Sequence, residues 1–248
     1  MSALPEVKLP ENSVIKIIGG GGVGGIVARY LSLFLVSVER ELRLVLIDGD
    51  SFEATNASRM FFAKCGNKAT VLRDELLQHL ADSKLSVMAI EEFITPSNIA
   101  TLLHNGDIII LAVDNHATRK LVNDYVVSEL SDAVLISGGN DGVEDGRRGT
   151  YGTVQIYVRR DGRDLMPSLS QYHPEIEKPE DRLPSEQGCV ALFASVPQIL
   201  FTNLMTASCI LNTFWLHICG ALKYPELAFD IADALMSPVE LSATTCQQ

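Results

Sequence analysis

Short apolar runs alternate with segments of helical periodicity along the first half of the chain. The runs are rich in Val, Ile and Leu and have the length of buried strands. They occupy residues 14–18, 42–47, 85–90, 107–113 and 133–137. Between the runs, apolar residues recur at helical intervals in residues 23–34, 67–82, 96–103 and 117–130. This alternation predicts a Rossmann-like, doubly wound, mostly parallel sheet of the α/β class.

The pattern changes after Ser137. Residues 138–149 are rich in glycine and have no apolar period, so we expect a loop there, whereas residues 153–158 have the composition of a strand. Residues 159–188 are charged and contain four prolines, which predicts a long crossover loop. A last possible strand covers residues 227–231. We therefore expect further strands and C-terminal apolar helices to extend the parallel sheet.

The segment from Val190 to Leu222 contains no Asp, Glu, Lys or Arg. A membrane span is one interpretation, because about 20 apolar residues suffice to cross a bilayer. Polar residues and a proline interrupt the segment at Pro197, Gln198, Asn203, Asn212 and His217. The pattern therefore favours buried helices, packed in part against a second subunit, and no association with a membrane.

Composition narrows the classes of function. The net charge is −11, which disfavours a broad electrostatic contact with nucleic acid. The five cysteines form no C-x-x-C pair, so neither a disulfide framework nor a zinc site is expected. The first 13 residues have no basic region followed by an apolar core, so they do not resemble a signal peptide. These features together predict a cytoplasmic protein.

The first apolar run leads directly into a glycine-rich turn, residues 19–25, with G-x-G-x-x-G-type spacing and a helical segment behind it. Such a turn lets backbone N–H groups approach a phosphate, and the helix N-terminus supplies positive potential. The second run ends at Asp48, about 20 residues beyond the glycines, where a ribose-binding carboxylate is expected. The sequence therefore predicts a nucleotide site at the carboxyl edge of the sheet.

Further motifs follow the glycine turn in a fixed order. The ordered set is Gly19-x-Gly21-Gly22-x-Gly24, Asp48-x-Asp50, Asn56-x-x-Arg59, Gly66-x-Lys68 and Asp114-Asn115-x-x-x-Arg119. Over about residues 14–222 the set resembles the adenylation domain of the ThiF/MoeB/HesA superfamily, the ubiquitin-activating-type enzymes. A glycine turn alone also occurs in dehydrogenases, but these have no use for an Asn, an Arg and a Lys after the second strand.

The resemblance implies one adenylation domain over residues 1–248, of a compact, bacterial-style type. Residues 14–137 would be its nucleotide-binding half, residues 138–188 a strand plus crossover loop, and residues 189–248 C-terminal helices and a tail. The implied reaction is the adenylation of a C-terminal carboxylate on a small ubiquitin-like or sulfur-carrier protein. The resemblance also implies a homodimer, although no arginine precedes Arg29 to reach the ATP of a partner subunit, as one does in many relatives.

The resemblance assigns roles to the motif residues. Adenylation brings two anions together and expels pyrophosphate, so it needs cations and donors aimed at the triphosphate. Lys68, Arg59 and Asn56 would supply them, and Asp48 would hold the ribose hydroxyls of ATP. Asp114 would orient Mg²⁺, and Asp50 would lie next to the site. The phosphate turn would consist of Gly19, Gly21, Gly22 and Gly24, and Arg119 is expected to be structural.

Cys189 closes the crossover loop in the stretch Ser185-Glu186-Gln187-Gly188-Cys189. In several relatives a cysteine at this junction forms a thioester or a persulfide-type link to the activated partner, and a helix N-terminus lowers the pKa of a thiol. The other interpretation is a small cysteine buried at the start of a helix.

The sequence leaves alternatives to the main functional prediction open. One is the adenylation of a small-molecule or modified-tRNA carboxylate. Two others, from different classes, are an NAD-dependent oxidoreductase and an inactive nucleotide-binding module of the same fold.

Overall fold

The computed structural model describes residues 6–52, 62, 64–80, 83–144, 146–186 and 198–239. The strands are β1 (Val14–Ile18), β2 (Leu42–Ile47), β3 (Ser51–Phe52), β4 (Gly66–Asn67), β5 (Leu85–Ile90), β6 (Ile108–Leu111), β7 (Ala133–Asn140), β8 (Val143–Glu144), β9 (Arg147–Arg148), β10 (Tyr151–Arg160), β11 (Arg163–Asp164), β12 (Glu226–Asp230) and β13 (Leu235–Val239). The α-helices are α1 (Gly22–Ser37), α2 (Lys68–His79), α3 (Ile99–Leu102), α4 (His116–Glu129), α5 (Leu169–Tyr172) and α6 (Leu200–Ile218).

The main sheet has the order β13-β12-β10-β7-β6-β1-β2-β5, with β11 added to β10. The segment from β7 to β5 is parallel, whereas β10, β12 and β13 pair antiparallel. The chain builds outward from β1 to β2 and β5 on one side, and to β6 and β7 on the other. This reversal of the strand order beside β1 places a crevice at the carboxyl ends of β1 and β6. The predicted doubly wound, mostly parallel fold is confirmed.

Both faces of the sheet are covered by helices. Ile15 and Ile17 of β1 point into a core formed with α1, α2 and α6, whereas Ile18 points into a second core formed with α3, α4 and α5. Successive residues of a strand face opposite sides, so burial on both sides requires an apolar residue at nearly every position. This requirement explains the continuous apolar runs that predicted the strands.

The loop expected at residues 138–149 is only partly correct, because β7 continues to Asn140 and β8 and β9 form a small hairpin. Glycines in β7 are required by packing. A Cβ added to Gly138 would lie 2.5 Å from Ile210 Cδ1 of α6, and one added to Gly139 would lie 2.8 Å from Arg119 Nη2. The glycines here mark a closely packed strand end.

The crossover loop predicted at residues 159–188 contains short elements within its described part, residues 159–186. We define the crossover segment as residues 165–186. It contains α5 and 3-10 turns at Pro174–Glu177 and Pro184–Glu186. Leu169 and Ile176 are buried in the core on the α4 side of the sheet. The two side chains hold the segment against the sheet despite its charge and its prolines.

The charge-free segment forms α6 within its described part, and residues 190–197 lie outside the described residues. Thr206, Ile210 and Phe214 of α6 face the sheet, and the Phe214 ring meets Phe34 of α1 edge to face at 6.3 Å. Among the residues described, no helix is long and apolar enough to cross a membrane.

The C-terminal part contains more strand than expected. The predicted strand at residues 227–231 corresponds to β12, whose register with β10 pairs Glu226 with Gln155. A further strand, β13, then pairs with β12 although the sequence pattern gave no sign of it. Its side chains are mostly exposed, so it carries no buried apolar period that could be recognised.

Candidate nucleotide-binding site

The glycine turn connects β1 to α1 in a backbone conformation that excludes side chains. Gly19 has φ +92°, and a Cβ there would lie 2.7 Å from the carbonyl oxygen of Ala112. A Cβ on Gly24 would lie 1.8 Å from the carbonyl oxygen of Gly19. Gly21 is the N-cap of α1, with no side-chain hydrogen bond and no acidic residue in the first turn. The first N–H groups of α1 therefore suit an external anion such as a phosphate.

Asp48 extends from the end of β2 to the glycine turn. Its Oδ2 accepts a hydrogen bond from the Gly20 N–H at 2.6 Å, and its Oδ1 accepts one from the Asp50 N–H at 2.8 Å. Burial raises the pKa of the Asp48 carboxyl, and the bond from Gly20 and the nearby Lys68 ammonium offset only part of this rise. Each carboxylate oxygen keeps acceptor capacity for a hydroxyl group of a ligand.

Lys68 opens α2 directly beside this carboxylate. The short antiparallel pair β3–β4 brings Lys68 next to Asp50, and the Lys68 backbone N–H donates to the Asp50 carbonyl at 2.9 Å. The Lys68 ammonium forms an ion pair with Asp50 Oδ2. The lysine side chain is only 8% exposed, whereas that of Asp50 is 55% exposed. The pair is therefore open to solvent on the Asp50 side, where a phosphate can compete for the lysine.

Asn67 belongs to the site although the sequence reasoning missed it. Its Nδ2 donates to the carbonyl oxygens of Asp48 at 2.8 Å and Asp50 at 3.2 Å. Its Oδ1 accepts from the Thr70 N–H at 3.1 Å and so caps α2. One side chain thus holds the Asp48–Asp50 backbone against the start of the helix that carries Lys68. Its position just before Lys68 and an apolar helix was a usable N-cap signal.

Arg29 and two phenylalanines flank the glycine turn and were also missed. The Arg29 guanidinium donates to the Gly25 carbonyl at 3.0 Å and to Glu75 Oε2 at 2.6 Å. It lies 5.5 Å from the centre of the Phe62 ring, which stacks on Phe52 at 4.8 Å. Phe52, Phe62 and Arg29 thus lie together beside the glycine turn. The sequence reasoning also placed Asn56 and Arg59 at the site. These two predicted site residues lie outside the described residues, as does Cys189.

Asp114 follows the end of β6, and its side chain is exposed. Asn115 caps α4 by accepting a hydrogen bond from the Thr118 N–H at 2.8 Å. Arg119 is buried and donates to the carbonyl oxygens of Val113 at 2.5 Å and Gly138 at 2.9 Å, and to the Ser137 hydroxyl. Burial lowers the pKa of Arg119 to about 10, while nearby carboxylates act in the opposite direction. These contacts give Arg119 the structural role expected of it.

Three neighbouring strands place these groups at one edge of the sheet. The Gly19 N–H donates to the Ile47 carbonyl at 3.0 Å, and the Ala112 N–H donates to the Ile18 carbonyl at 2.9 Å. The glycine turn, Asp48 and Asp114 therefore lie at the carboxyl ends of β1, β2 and β6. Within the described parts of the chain, no group of three or more His, Cys, Asp or Glu side chains is arranged to hold a metal ion.

The fold and the groups at this edge of the sheet define a nucleotide-binding α/β protein. Its glycine turn lies where the order of the strands in the sheet reverses. The sequence matches the ThiF family over residues 6–209. The chain belongs to the ThiF family.

Relatives in sequence agree with this assignment. The chain is 34% identical over 129 residues to the adenylyltransferase and sulfurtransferase MOCS3 of Dictyostelium discoideum, covering 51% of this chain and 29% of that protein. It is 32% identical over 170 residues to MOCS3 of Anopheles gambiae, covering 66% of this chain and 35% of that protein. The chain thus spans about a third of the length of these relatives.

Among solved structures, E. coli MccB with MccA is similar at a TM-score of 0.69 and 17% identity, covering 97% of this chain and 67% of that one. PaaA is similar at a TM-score of 0.65 and 19% identity, covering 92% of this chain and 64% of that one. At these identities the likeness shows a shared fold.

Proposed function

We propose that this chain is an adenylyltransferase that uses ATP and Mg²⁺ to activate the C-terminal carboxylate of a small ubiquitin-like or sulfur-carrier protein. The observation that carries the proposal is the meeting of Asp48 and Lys68 at an uncapped glycine turn. Membership of the ThiF family and the names of the MOCS3 relatives support it. We propose that residues 1–248 act as a single adenylation domain, in the cytoplasm.

The site offers a place for each part of ATP. The phosphates would lie at the first N–H groups of α1, on the turn formed by Gly19, Gly21, Gly22 and Gly24. Asp48 would accept hydrogen bonds from the ribose hydroxyls. Lys68 would exchange its partner Asp50 for a phosphate oxygen, and the motif residues Asn56 and Arg59 would add donors to the triphosphate.

Asp114 would hold the magnesium ion. Mg²⁺ is commonly bound through one or two carboxylates together with phosphate oxygens, and an exposed carboxylate at the carboxyl edge of the sheet fits this mode. When bound, the ion would supply positive charge that balances the negative charge on the leaving group. The remaining charge on the triphosphate would be balanced by Lys68 and Arg59.

The reaction would be an in-line substitution at the α-phosphorus of ATP. A carboxylate oxygen of the carrier forms the new P–O bond, and the bond to the pyrophosphate oxygen breaks. The products are an acyl-adenylate and pyrophosphate. The crossover segment would cover the extended tail of the carrier, and positioning by the protein would supply much of the rate enhancement.

ATP–pyrophosphate exchange tests this function. Exchange that depends on an added carrier protein with a free C-terminus would support it. Exchange with a small carboxylic acid or a modified tRNA would identify the alternative substrates within the same chemistry. Quenching of nicotinamide fluorescence without exchange would indicate a dehydrogenase, and ATP binding without exchange would indicate an inactive module.

Cys189 is proposed as the nucleophile of a second step, in which its thiolate attacks the acyl-adenylate carbonyl and AMP leaves. Cys189→Ala should keep pyrophosphate exchange near its normal rate and lose any reducible bond to the carrier. Cys189→Ser should form a hydroxylamine-sensitive, thiol-resistant ester. Both products are distinguished by non-reducing electrophoresis and intact-mass spectrometry.

The matched control is Cys65→Ala, which removes an exposed free cysteine. It should leave the reducible adduct unchanged. A thiol-sensitive adduct that persists in Cys189→Ala would assign the chemistry to another cysteine. Complete downstream activity of Cys189→Ala would show that Cys189 is not the nucleophile and serves only in packing.

We also propose a homodimer that buries the outer face of α1 and α6. The two helices lie side by side, and α6 contains no charged residue. The outer face exposes large apolar side chains, namely Tyr30, Leu33, Leu200, Phe201, Leu204 and Trp215. An apolar patch without charges suits a two-fold interface, in which the same surface is used twice.

Phe201→Glu should convert the dimer to a monomer, because it places a charge on a side chain that is 71% exposed at this face. Light scattering at micromolar concentration measures the change in mass. Leu235→Glu on β13 is the control, since its side chain is similarly exposed, at 63%, but lies elsewhere. A wild-type protein that is already monomeric at this concentration would contradict the proposal.

A further inference from the structure

The crossover segment reaches the start of α4 through Asp181. The His116 N–H donates to Asp181 Oδ2 at 2.7 Å, and the Ala117 N–H donates to Asp181 Oδ1 at 2.7 Å. These are the first two residues of α4, and their N–H groups have no acceptor within a helix. The carboxylate thus binds both groups and places its charge at the positive end of the helix.

Together with contacts of Arg119 and Asn115, this contact holds the backbone on both sides of Asp114. On the strand side, the Arg119 guanidinium donates to the Val113 carbonyl at 2.5 Å. On the helix side, the N-cap residue Asn115 and then Asp181 hold the first turn of α4. The residues before and after Asp114 are fixed by side-chain contacts, while the Asp114 side chain itself is exposed.

Asp181 is in turn located by the anchoring of the crossover segment. The Leu169 N–H donates to Asn123 Oδ1 at 2.9 Å in the core. His173 Nε2 lies 2.7 Å from Glu226 Oε1 of β12, whereas the largely exposed ion pair of Lys120 and Glu177, at 3.1 Å, contributes little to the anchoring. These contacts join the segment to α4 and to the antiparallel part of the sheet. A displacement of the segment therefore moves the carboxylate that holds the turn next to Asp114.

We propose that Asp181 is a positioning residue that sets the direction of Asp114 towards the nucleotide and so couples the crossover segment to the proposed magnesium position. The inference rests on the proposed function in one respect, the role of Asp114. Its physical basis is that residues which orient a metal ligand typically contribute about 10- to 100-fold to metal affinity.

Asp181→Asn and Glu177→Gln form a matched pair. Each removes one carboxylate charge from the crossover segment with little change in shape, but only Asp181 binds the first turn of α4. The asparagine keeps one acceptor oxygen and turns an NH₂ group towards the second N–H. ATP binding is measured by calorimetry with Mg²⁺ and again with EDTA, and backbone amide exchange of His116 and Ala117 is followed by NMR.

Asp181→Asn should weaken ATP binding about tenfold when Mg²⁺ is present and leave binding in EDTA unchanged. It should also raise the Mg²⁺ concentration required for half-maximal binding and speed the amide exchange of His116 or Ala117. Glu177→Gln should match the wild type in all four measurements. Asp181→Ser, which also keeps one acceptor, should behave like Asp181→Asn and serves as the second variant if the first folds poorly.

Equal effects of Asp181→Asn and Glu177→Gln would overturn the proposal, as would a loss of affinity that is the same with and without Mg²⁺. Wild-type protein that does not bind ATP would overturn it as well. Wild-type protein that binds ATP with Mg²⁺ but shows no pyrophosphate exchange with any carrier would refute the adenylation proposal alone. The comparison of binding affinities would still decide the role of Asp181 in that case.

Discussion

Asp114→Ala is expected to abolish ATP–pyrophosphate exchange, with a loss of about 100-fold or more, while the fold remains intact. The side chain is exposed beyond the end of β6, and Asp181 also acts on the buried Arg119 guanidinium that Asp114 faces electrostatically, so the removal of Asp114 should cost little stability. The loss would arise because the charge on the leaving pyrophosphate is no longer balanced through the magnesium ion that Asp114 is proposed to orient. Exchange of labelled pyrophosphate and a thermal melt measure the two effects separately.

Asp124→Ala is the matched control for this experiment. Asp124 is an exposed aspartate on α4, the helix that follows Asp114, and its side chain pairs with Lys120 at 2.8 Å. A surface ion pair of this kind contributes at most about 1 kcal/mol, so exchange and stability should both stay near their wild-type values. Undiminished exchange in Asp114→Ala would remove Asp114 from the proposed magnesium site.

Gly24→Ala is expected to destabilise the protein by about 3 kcal/mol or more, because overpacking a rigid site forces the backbone to shift. The added Cβ would lie 1.8 Å from the Gly19 carbonyl oxygen and 2.9 Å from its carbonyl carbon, which are main-chain atoms of the phosphate turn. A turn displaced in this way should also lose ATP affinity. Chemical denaturation and calorimetry measure the two effects.

The neighbouring glycine provides the control. A Cβ on Gly25 would first meet Arg29 Nη1, at 3.2 Å, at the end of a flexible side chain. Gly25→Ala should therefore change the free energy of unfolding by no more than about 1 kcal/mol, because alanine also favours the helix. Equal changes in the free energy of unfolding for Gly24→Ala and Gly25→Ala would contradict this prediction. They would show that the close contact at Gly24 adds no cost of its own.

The sequence was most informative where the signal is local. The apolar runs defined β1, β2 and β5 at their observed bounds. A strand buried on both faces, such as β1, needs apolar residues along nearly its whole length, whereas the edge strand β5 buries alternate residues. The spacing from the glycine turn to the end of β2 placed Asp48 at the turn, and the structure shows its carboxylate on the Gly20 N–H. Backbone geometry fixes such spacings within a single βαβ unit.

Local signals failed where distant parts of the chain meet. The glycines of β7 resemble a loop in sequence, yet they lie in a strand where Ile210 and Arg119 pack closely against Gly138 and Gly139. The crossover segment appears structureless by composition, yet Leu169 and Ile176 fix it to the sheet. Two buried side chains in a charged stretch produce no periodicity that a sequence reading could detect.

What the sequence by itself determined is therefore the parallel half of the sheet, the glycine turn and the position of Asp48. Only the tertiary structure decided that Lys68 pairs with Asp50, that Asn67 fastens the Asp48–Asp50 backbone, and that Asp181 binds the first turn of α4. The physical reason is sequence separation. Asp181 and His116 are 65 positions apart, and their contact depends on how the crossover segment packs across the sheet.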